Sequence, residues 1–420
     1  MRILVVSNVF PPGFIGGYEL AALDVARGLI ARGHEVHVLT SDYFLDDHGV
    51  LSGPKVSRSL RCASLSHEVS STDQVKHLYY SFHNVRALGS AVRQFRPDAV
   101  LAFNLHGLGV HSILQYLQAI GMPTVLYLMD NVFTGLDRTS GLHQQYESLF
   151  GPLELGRKTR LIGMSENVIR ETFGVLGKQP EDVTYVPGWV EFDERRPADI
   201  AVSSSDGVRF VFSSRVAGHK GIDIIVDAVE RLTCEGLRGF TVDVYGAGQV
   251  AAFMQRVTAK NLTSFLSYKG LVSKDEMLEV LSRYDALLFP TWEREAFGFV
   301  ASEAAVAGCF PILTAGIGAS EWFLDGTDCF KISRNVDGLA SAMRQVLHWS
   351  DDERRNRRLA AMHTGRRSFS FERWLPVIEG LCLEEVRKAS PRDLGAVTRG
   401  AEAALLVLSS LFNERAQGRG

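Results

Sequence analysis

The sequence predicts an α/β protein of two doubly wound, Rossmann-like parallel-sheet domains facing each other across a cleft. Three observations predict it. Short β-branched runs alternate with helical patterns along most of the 420 residues, the signature of βαβ units. The series is interrupted at Asp193–Val208, where a charged and then Ser-rich stretch without apolar period reads as a linker. The length suits two or three domains. The boundaries follow as 1–195 and 205–370, with a helix near 371–388 packing back on the first domain and a tail over 389–420.

Each element has its own warrant. Arg2–Ser7 is the first strand. Gly17–Arg32 is an amphipathic helix stopped by Gly33, a natural residue after a helix end. Glu35–Thr40, Ala99–Phe103, Thr124–Leu128, Leu161–Met164 and Val183–Val186 complete the first sheet. Arg209–Ser214 opens the second, followed by the helix Gly221–Thr233 and strands at Phe240–Tyr245, Ser264–Tyr268, Ala286–Phe289 and Phe310–Leu313. Asp337–Leu347 and Phe371–Lys388 read as helices, and Ala401–Phe412 as an apolar helix too short to span a bilayer.

Composition removes several classes. Hydrophobic residues make up 46% and charged residues 22%, an ordinary globular balance. A net charge of −3 supplies no field for nucleic acid. The five cysteines are scattered and never form C-x-x-C, which suits a reduced, cytoplasmic protein. Ala99–Met129 contains no charged residue over 31 positions, yet Asn104, His106, Gln115 and Pro123 break it into strand, helix and strand. It reads as buried α/β core, with no membrane span. Between Lys55 and Arg96 seven basic residues (Lys55, Arg58, Arg61, Lys76, Arg86, Arg93, Arg96) face two acidic ones, a local +5. Contact with anionic lipid at the inner face of the membrane is the expectation this raises.

Four segments carry chemistry. Phe10–Gly17 joins the first strand to its helix, and Gly16-Gly17 lets backbone N–H groups approach an anion there. Arg215 ends the strand of the second domain and Lys220-Gly221 opens the next helix; a guanidinium fork and an ammonium at that place suit a diphosphate. Gly246-Ala247-Gly248-Gln249-Val250-Ala251 fits the dinucleotide pattern G-x-G-x-x-A, but the confirming acid at the end of the next strand is missing, so a tight turn at the cleft is preferred. The strongest segment is Pro290–Ala304, PTWEREAFGFVASEA. Gly298 precedes a helix whose terminal N–H groups can meet phosphate, and Glu303 lies five residues on, ~7.5 Å along the axis. That offset fits a nucleotide sugar, phosphates at the helix end and ribose along its side, with Glu295 in reach of the sugar hydroxyls.

The E-x7-E segment, the first-loop Gly-Gly, RGHEVHVLT at Arg32–Thr40, the Arg…Lys-Gly pair and KGLVSKDEMLEVLSRYDALLFPT at Lys269–Thr291 together resemble the retaining glycosyltransferases of family GT4, which have the GT-B fold. The resemblance spans roughly residues 1–385. It implies an enzyme that moves a sugar from a UDP-, GDP- or dTDP-linked donor to the hydroxyl of a glycan, a lipid-linked sugar or a small molecule. It assigns Glu303 to the ribose, Glu295 to the donor sugar, and Arg215 and Lys220 to the diphosphate. Backbone groups of Phe297, Gly298, Gly16 and Gly17 would complete the donor site. Val272 would lie near the base, and His106 and Asp130 in the first-domain lining. Met129 stands where relatives carry a His before that Asp, which points to a donor without a hydroxyl at C6. Pro187-Gly188-Trp189-Val190 replaces the usual P-N-G-V. No D-x-D occurs, so the resemblance implies chemistry without metal or cofactor, the departing phosphate serving as base. A phosphorylase, a nucleotide-sugar epimerase and a non-catalytic nucleotide-sugar-binding module are the alternatives.

Overall fold

The computed structural model describes residues 1–13, 16–43, 53–63, 79–193, 200, 207–389 and 394–416. The expected linker Asp193–Val208, apart from its ends and residue 200, lies outside them, as does Lys76 of the basic run. The chain divides into two compact units: Met1–Val186 with Trp374–Gly420, and Pro187–Arg373.

The first unit is a seven-stranded sheet of β1 (Arg2–Val6), β2 (Glu35–Ser41), β3 (Lys55–Leu60), β4 (Ala99–Ala102), β5 (Thr124–Leu128), β6 (Arg160–Gly163) and β7 (Val183–Tyr185), in the order β3-β2-β1-β4-β5-β6-β7. Every pairing is parallel. The central strands β1, β4 and β5 are apolar and almost wholly buried, as strands covered by helices on both faces must be. The charge-free run Ala99–Met129 supplies β4, the helix Val110–Ala119 and β5, all deep in this core. Among the described residues no helix is long and apolar enough to cross a membrane.

The second unit carries six parallel strands: β8 (Val208–Ser213), β9 (Phe240–Tyr245), β10 (Leu266–Gly270), β11 (Ala286–Phe289), β12 (Phe310–Thr314) and β13 (Phe330–Ile332), ordered β10-β9-β8-β11-β12-β13. In both sheets the order reverses beside the first strand, between β1 and β4 and between β8 and β11. Loops leaving the carboxyl ends of those two strands diverge there and leave a crevice, the place where such sheets bind ligands.

Several elements differ from expectation. β3 (KVSRSL) was not anticipated because a half-polar edge strand lacks an apolar run. The helix Asp351–Phe369 was also missed. It buries arginines instead of an apolar stripe: Arg358 donates to the carbonyls of Gly308 (2.7 Å) and Ser282 (2.9 Å) and pairs with Asp285 (3.3 Å). The tail helix runs Leu394–Ala416, longer than the Ala401–Phe412 expected. It is held by an ion pair from Glu402 to Arg93. The helix Phe371–Lys388 starts in the second unit and continues into the first, where Glu379 accepts from Arg32 and meets His34, each at 2.6 Å.

Candidate active site

In the second unit the switch point gathers two loops. The loop after β8 runs beside the Gly246–Gly248 turn. Val216 N–H donates to Ala247 (2.8 Å) and Gln249 N–H to the Val216 carbonyl (2.8 Å). Gly246 and Gly248 both have φ of +133°, and a Cβ on Gly248 would lie 2.5 Å from the Val216 oxygen. The G-x-G-x-x-A pattern is therefore a backbone buttress for the Arg215 loop. Gly218–Lys220 forms a single 3₁₀ turn. Gly221 follows at φ +85°, its Cα so close to the Pro290 carbonyl that a Cβ has no room. This contact, with Trp292 N–H donating to the His219 carbonyl at 2.9 Å, seats the Lys220 loop on the loop after β11.

That second loop is also fixed from behind. The carbonyls of Glu295 and Phe297 accept from Gly318 (3.2 Å) and Ala319 (2.9 Å), and Thr314 Oγ1 donates to the Thr291 carbonyl (2.7 Å). Gly298 takes φ +92° and a Cβ there would meet the Phe289 ring at 2.6 Å, so the turn into the helix Phe299–Val306 demands glycine. The helix starts immediately after this turn, as the sequence suggests.

Lys220 and Glu295 form an ion pair, their side chains 18% and 14% exposed. Thr291 Oγ1 donates to the same carboxylate oxygen at 3.0 Å. Arg215 is exposed and has no ion-pair partner among the described residues. Glu303 is half-buried on the helix; burial pushes its carboxyl above the usual range, opposed by the ammonium of Lys274. Burial lowers the His219 imidazole, and the nearby charges of Lys220 and Arg215 lower it further. Arg334 donates to the Gly218 carbonyl at 2.8 Å. Cations, a helix N-terminus and Glu295 thus form one arrangement at the switch point, with Glu303 further along the same helix. It can bind a polyanion at the helix end and hydroxyls at Glu295 and Glu303. Val272 is half-buried in the turn after Gly270.

In the first unit, Gly16 caps the helix Gly17–Ala31, its N–H donating to Glu19 at 3.0 Å. Its backbone is extended and a Cβ would meet nothing within 4 Å, so the fold itself places no steric demand for glycine there. Arg58 holds the preceding loop, donating to the carbonyls of Phe10 (3.1 Å), Pro11 (2.6 Å) and Ser41 (3.2 Å). The His106 carbonyl accepts from Asn8 Nδ2 at 3.1 Å, and Asp130 is half-buried and accepts from Asn131 N–H at 2.7 Å.

Met129 is fully buried at the end of β5. In the basic run, Arg58 is spent on carbonyls and Arg93 on Glu402; Lys55, Arg61, Arg86 and Arg96 remain exposed. Sequence reasoning missed Lys274, Thr291, His219 and Arg334. The first two lie inside the quoted runs, and a sign of their role was that each flanks a segment already singled out. Among the described residues no cluster of three or more His, Cys, Asp or Glu could hold a metal ion.

Known proteins match both units. The family model "Glycosyltransferase Family 4" matches residues 15–194, and "Glycosyl transferases group 1" matches residues 207–348. A glycogen synthase of Mycobacterium tuberculosis is 27% identical over 372 residues, 83% of this chain and 86% of that protein. A 2-deoxystreptamine glucosyltransferase of Streptomyces kanamyceticus is 30% identical over 174 residues, 39% of this chain and 44% of that one. Among solved structures, a sucrose-phosphate synthase from Thermosynechococcus elongatus aligns with a TM-score of 0.71 at 16% identity, over 92% of this chain and all (100%) of that one. HepE of Anabaena, solved with UDP and glucose, aligns at 0.62 and 16% identity, over 93% and 100%. Fold and site together define a glycosyltransferase of GT-B type. The chain belongs to the glycosyltransferases that these two family models describe.

Proposed function

We propose that the chain transfers a sugar from a nucleoside-diphosphate sugar to a hydroxyl acceptor with retention of anomeric configuration. One observation carries this reading: Lys220, paired with Glu295, stands beside the helix that begins after Gly298 and bears Glu303 further along. A diphosphate at the helix end would be met by Lys220 and the exposed Arg215, while Glu303 accepts from the ribose and Glu295 from the sugar. HepE, bound to UDP and glucose, supports a nucleotide-sugar donor in general. The nucleotide is uridine, guanosine or thymidine diphosphate.

The mechanism asks little covalent work of the protein. As the bond from C1 to the phosphate oxygen breaks, negative charge grows on the diphosphate, where fixed cations and helix N–H groups stabilise it without reorganising. Lys220 and Arg215 take the role that a divalent cation has elsewhere, so turnover is metal-independent in this reading. The departing phosphate takes the proton of the acceptor hydroxyl as that oxygen bonds to C1 on the same face. Glu295 orients the sugar. In this reading the Gly16-Gly17 turn, His106 and Asp130 are the first unit's contribution to donor binding.

The acceptor is a glycan, a lipid-linked sugar or a small molecule. A lipid-linked acceptor agrees with the exposed Lys55, Arg61, Arg86 and Arg96, which would draw a cytoplasmic enzyme to anionic membrane. Product anomeric configuration, read by NMR from a transfer reaction, tests the mechanism. Retention is expected, and an inverted product overturns it.

A further inference from the structure

The first residues of the second unit lie against the donor loop. Gly188 has a backbone outside the left-handed region, so conformation does not demand glycine there. Space does. A Cβ at this position would lie 2.5 Å from two ring atoms of Phe297 and 2.7 Å from the Phe299 ring. Phe297 is fully buried among other rings: it meets Phe299 (5.3 Å between centroids) and Phe369 (5.8 Å), and Phe369 meets Phe323 (5.5 Å). Its carbonyl is tied to Ala319 N–H, and the next residue is Gly298 with its strained turn.

Phe369 ends the segment through which the chain leaves this unit. Val190 N–H donates to the Phe369 carbonyl (2.8 Å) and Phe371 N–H to the Val190 carbonyl (3.4 Å). The entering and leaving segments are thus paired, and Phe297 is wedged against both.

We infer that Gly188 is a positioning residue that sets the Phe297 ring, and through it the Glu295–Gly298 loop, so that donor binding is coupled to the paired chain segments 187–190 and 369–371. The inference rests on the donor reading of that loop. A methyl group at 188 has to push Phe297, and close-packed rings pass such a shift on instead of absorbing it. Glu295 and the helix N-terminus then move away from the diphosphate.

The test measures binding of UDP, GDP and dTDP to the full chain by calorimetry, with melting curves and amide exchange of peptides covering 187–190 and 369–373. The wild type binds one of the three and those peptides gain protection. Gly188→Ala, still folded, binds the same nucleotide about tenfold more weakly and loses that protection. Gly188→Ala with Phe297→Leu regains affinity to within about threefold, because the smaller side chain makes the space. Phe297→Leu alone, informative even where Gly188→Ala does not fold, weakens binding and uncouples the protection. Unchanged affinity and protection in folded Gly188→Ala, or in Phe297→Leu, overturns the inference. A wild type that binds none of the three overturns the donor reading and the inference with it.

Discussion

Replacing Lys220 by Met removes the ammonium and keeps the length of the side chain. In the wild type the Lys220–Glu295 pair is only 18% and 14% exposed, and Thr291 contributes one hydrogen bond at 3.0 Å. Breaking a fully buried pair costs about 3–5 kcal/mol; with this residual exposure and the Thr291 bond retained, we expect about 1–2 kcal/mol of stability to be lost. Activity falls further. Removing one preorganised group from a developing oxyanion costs about 10²–10³ in kcat, about 2.7–4 kcal/mol. The two effects separate in the double variant Lys220→Met/Glu295→Gln, where no charge is stranded. Urea denaturation should show most of the stability restored, while nucleoside-diphosphate release stays as low as in Lys220→Met. A kcat within about threefold of wild type for Lys220→Met refutes the reasoning, since it would leave no transition-state role for the cation.

Glu303→Gln should raise donor KM and lower kcat/KM by about 10- to 100-fold, the worth of a charged hydrogen bond; near-normal kcat/KM would remove Glu303 from the ribose. Its pH dependence follows from the raised carboxyl. The folded protein holds this proton to higher pH than the unfolded chain, so the contribution to stability is complete below the unfolded pKa and is lost as pH rises through the folded one. Donor affinity runs the opposite way, weakening on acidification from above the ordinary carboxylate range, and Glu303→Gln should flatten both profiles. EDTA should leave turnover unchanged; loss on chelation with recovery in magnesium or manganese contradicts the cation roles of Arg215 and Lys220. Vesicles with anionic lipid should retain the protein at low salt and release it at high salt. Equal retention on neutral vesicles would make Lys55, Arg61, Arg86 and Arg96 ordinary surface.

The sequence made the two sheets legible because their central strands are apolar runs, as Ile3–Val6 and Ala286–Phe289 illustrate. It also singled out the segment Glu295–Glu303, where the structure gives Gly298 a left-handed turn against the Phe289 ring and pairs Glu295 with Lys220. It was silent where polar groups do the packing. Arg358 binds carbonyls and Asp285 inside the core, so the helix Asp351–Phe369 has no apolar period to find. Lys274 and His219 act across space, through elements brought together by the strand order, and spacing along the chain does not encode that. Gly246 and Gly248 fit a dinucleotide pattern, but the missing acid favoured a tight turn, and their partner is indeed the protein's own backbone at Ser214 and Val216.

The central claim is that this crevice activates a nucleotide sugar. Incubating the wild-type chain with a panel of UDP-, GDP- and dTDP-linked sugars, and quantifying the nucleoside diphosphate released, tests it most directly because slow hydrolysis reports the donor without any acceptor. The account predicts release from one nucleotide series, unchanged by EDTA and reduced at least about 100-fold in Lys220→Met. Release from none of the donors by folded protein, or equal release by wild type and Lys220→Met, would contradict it.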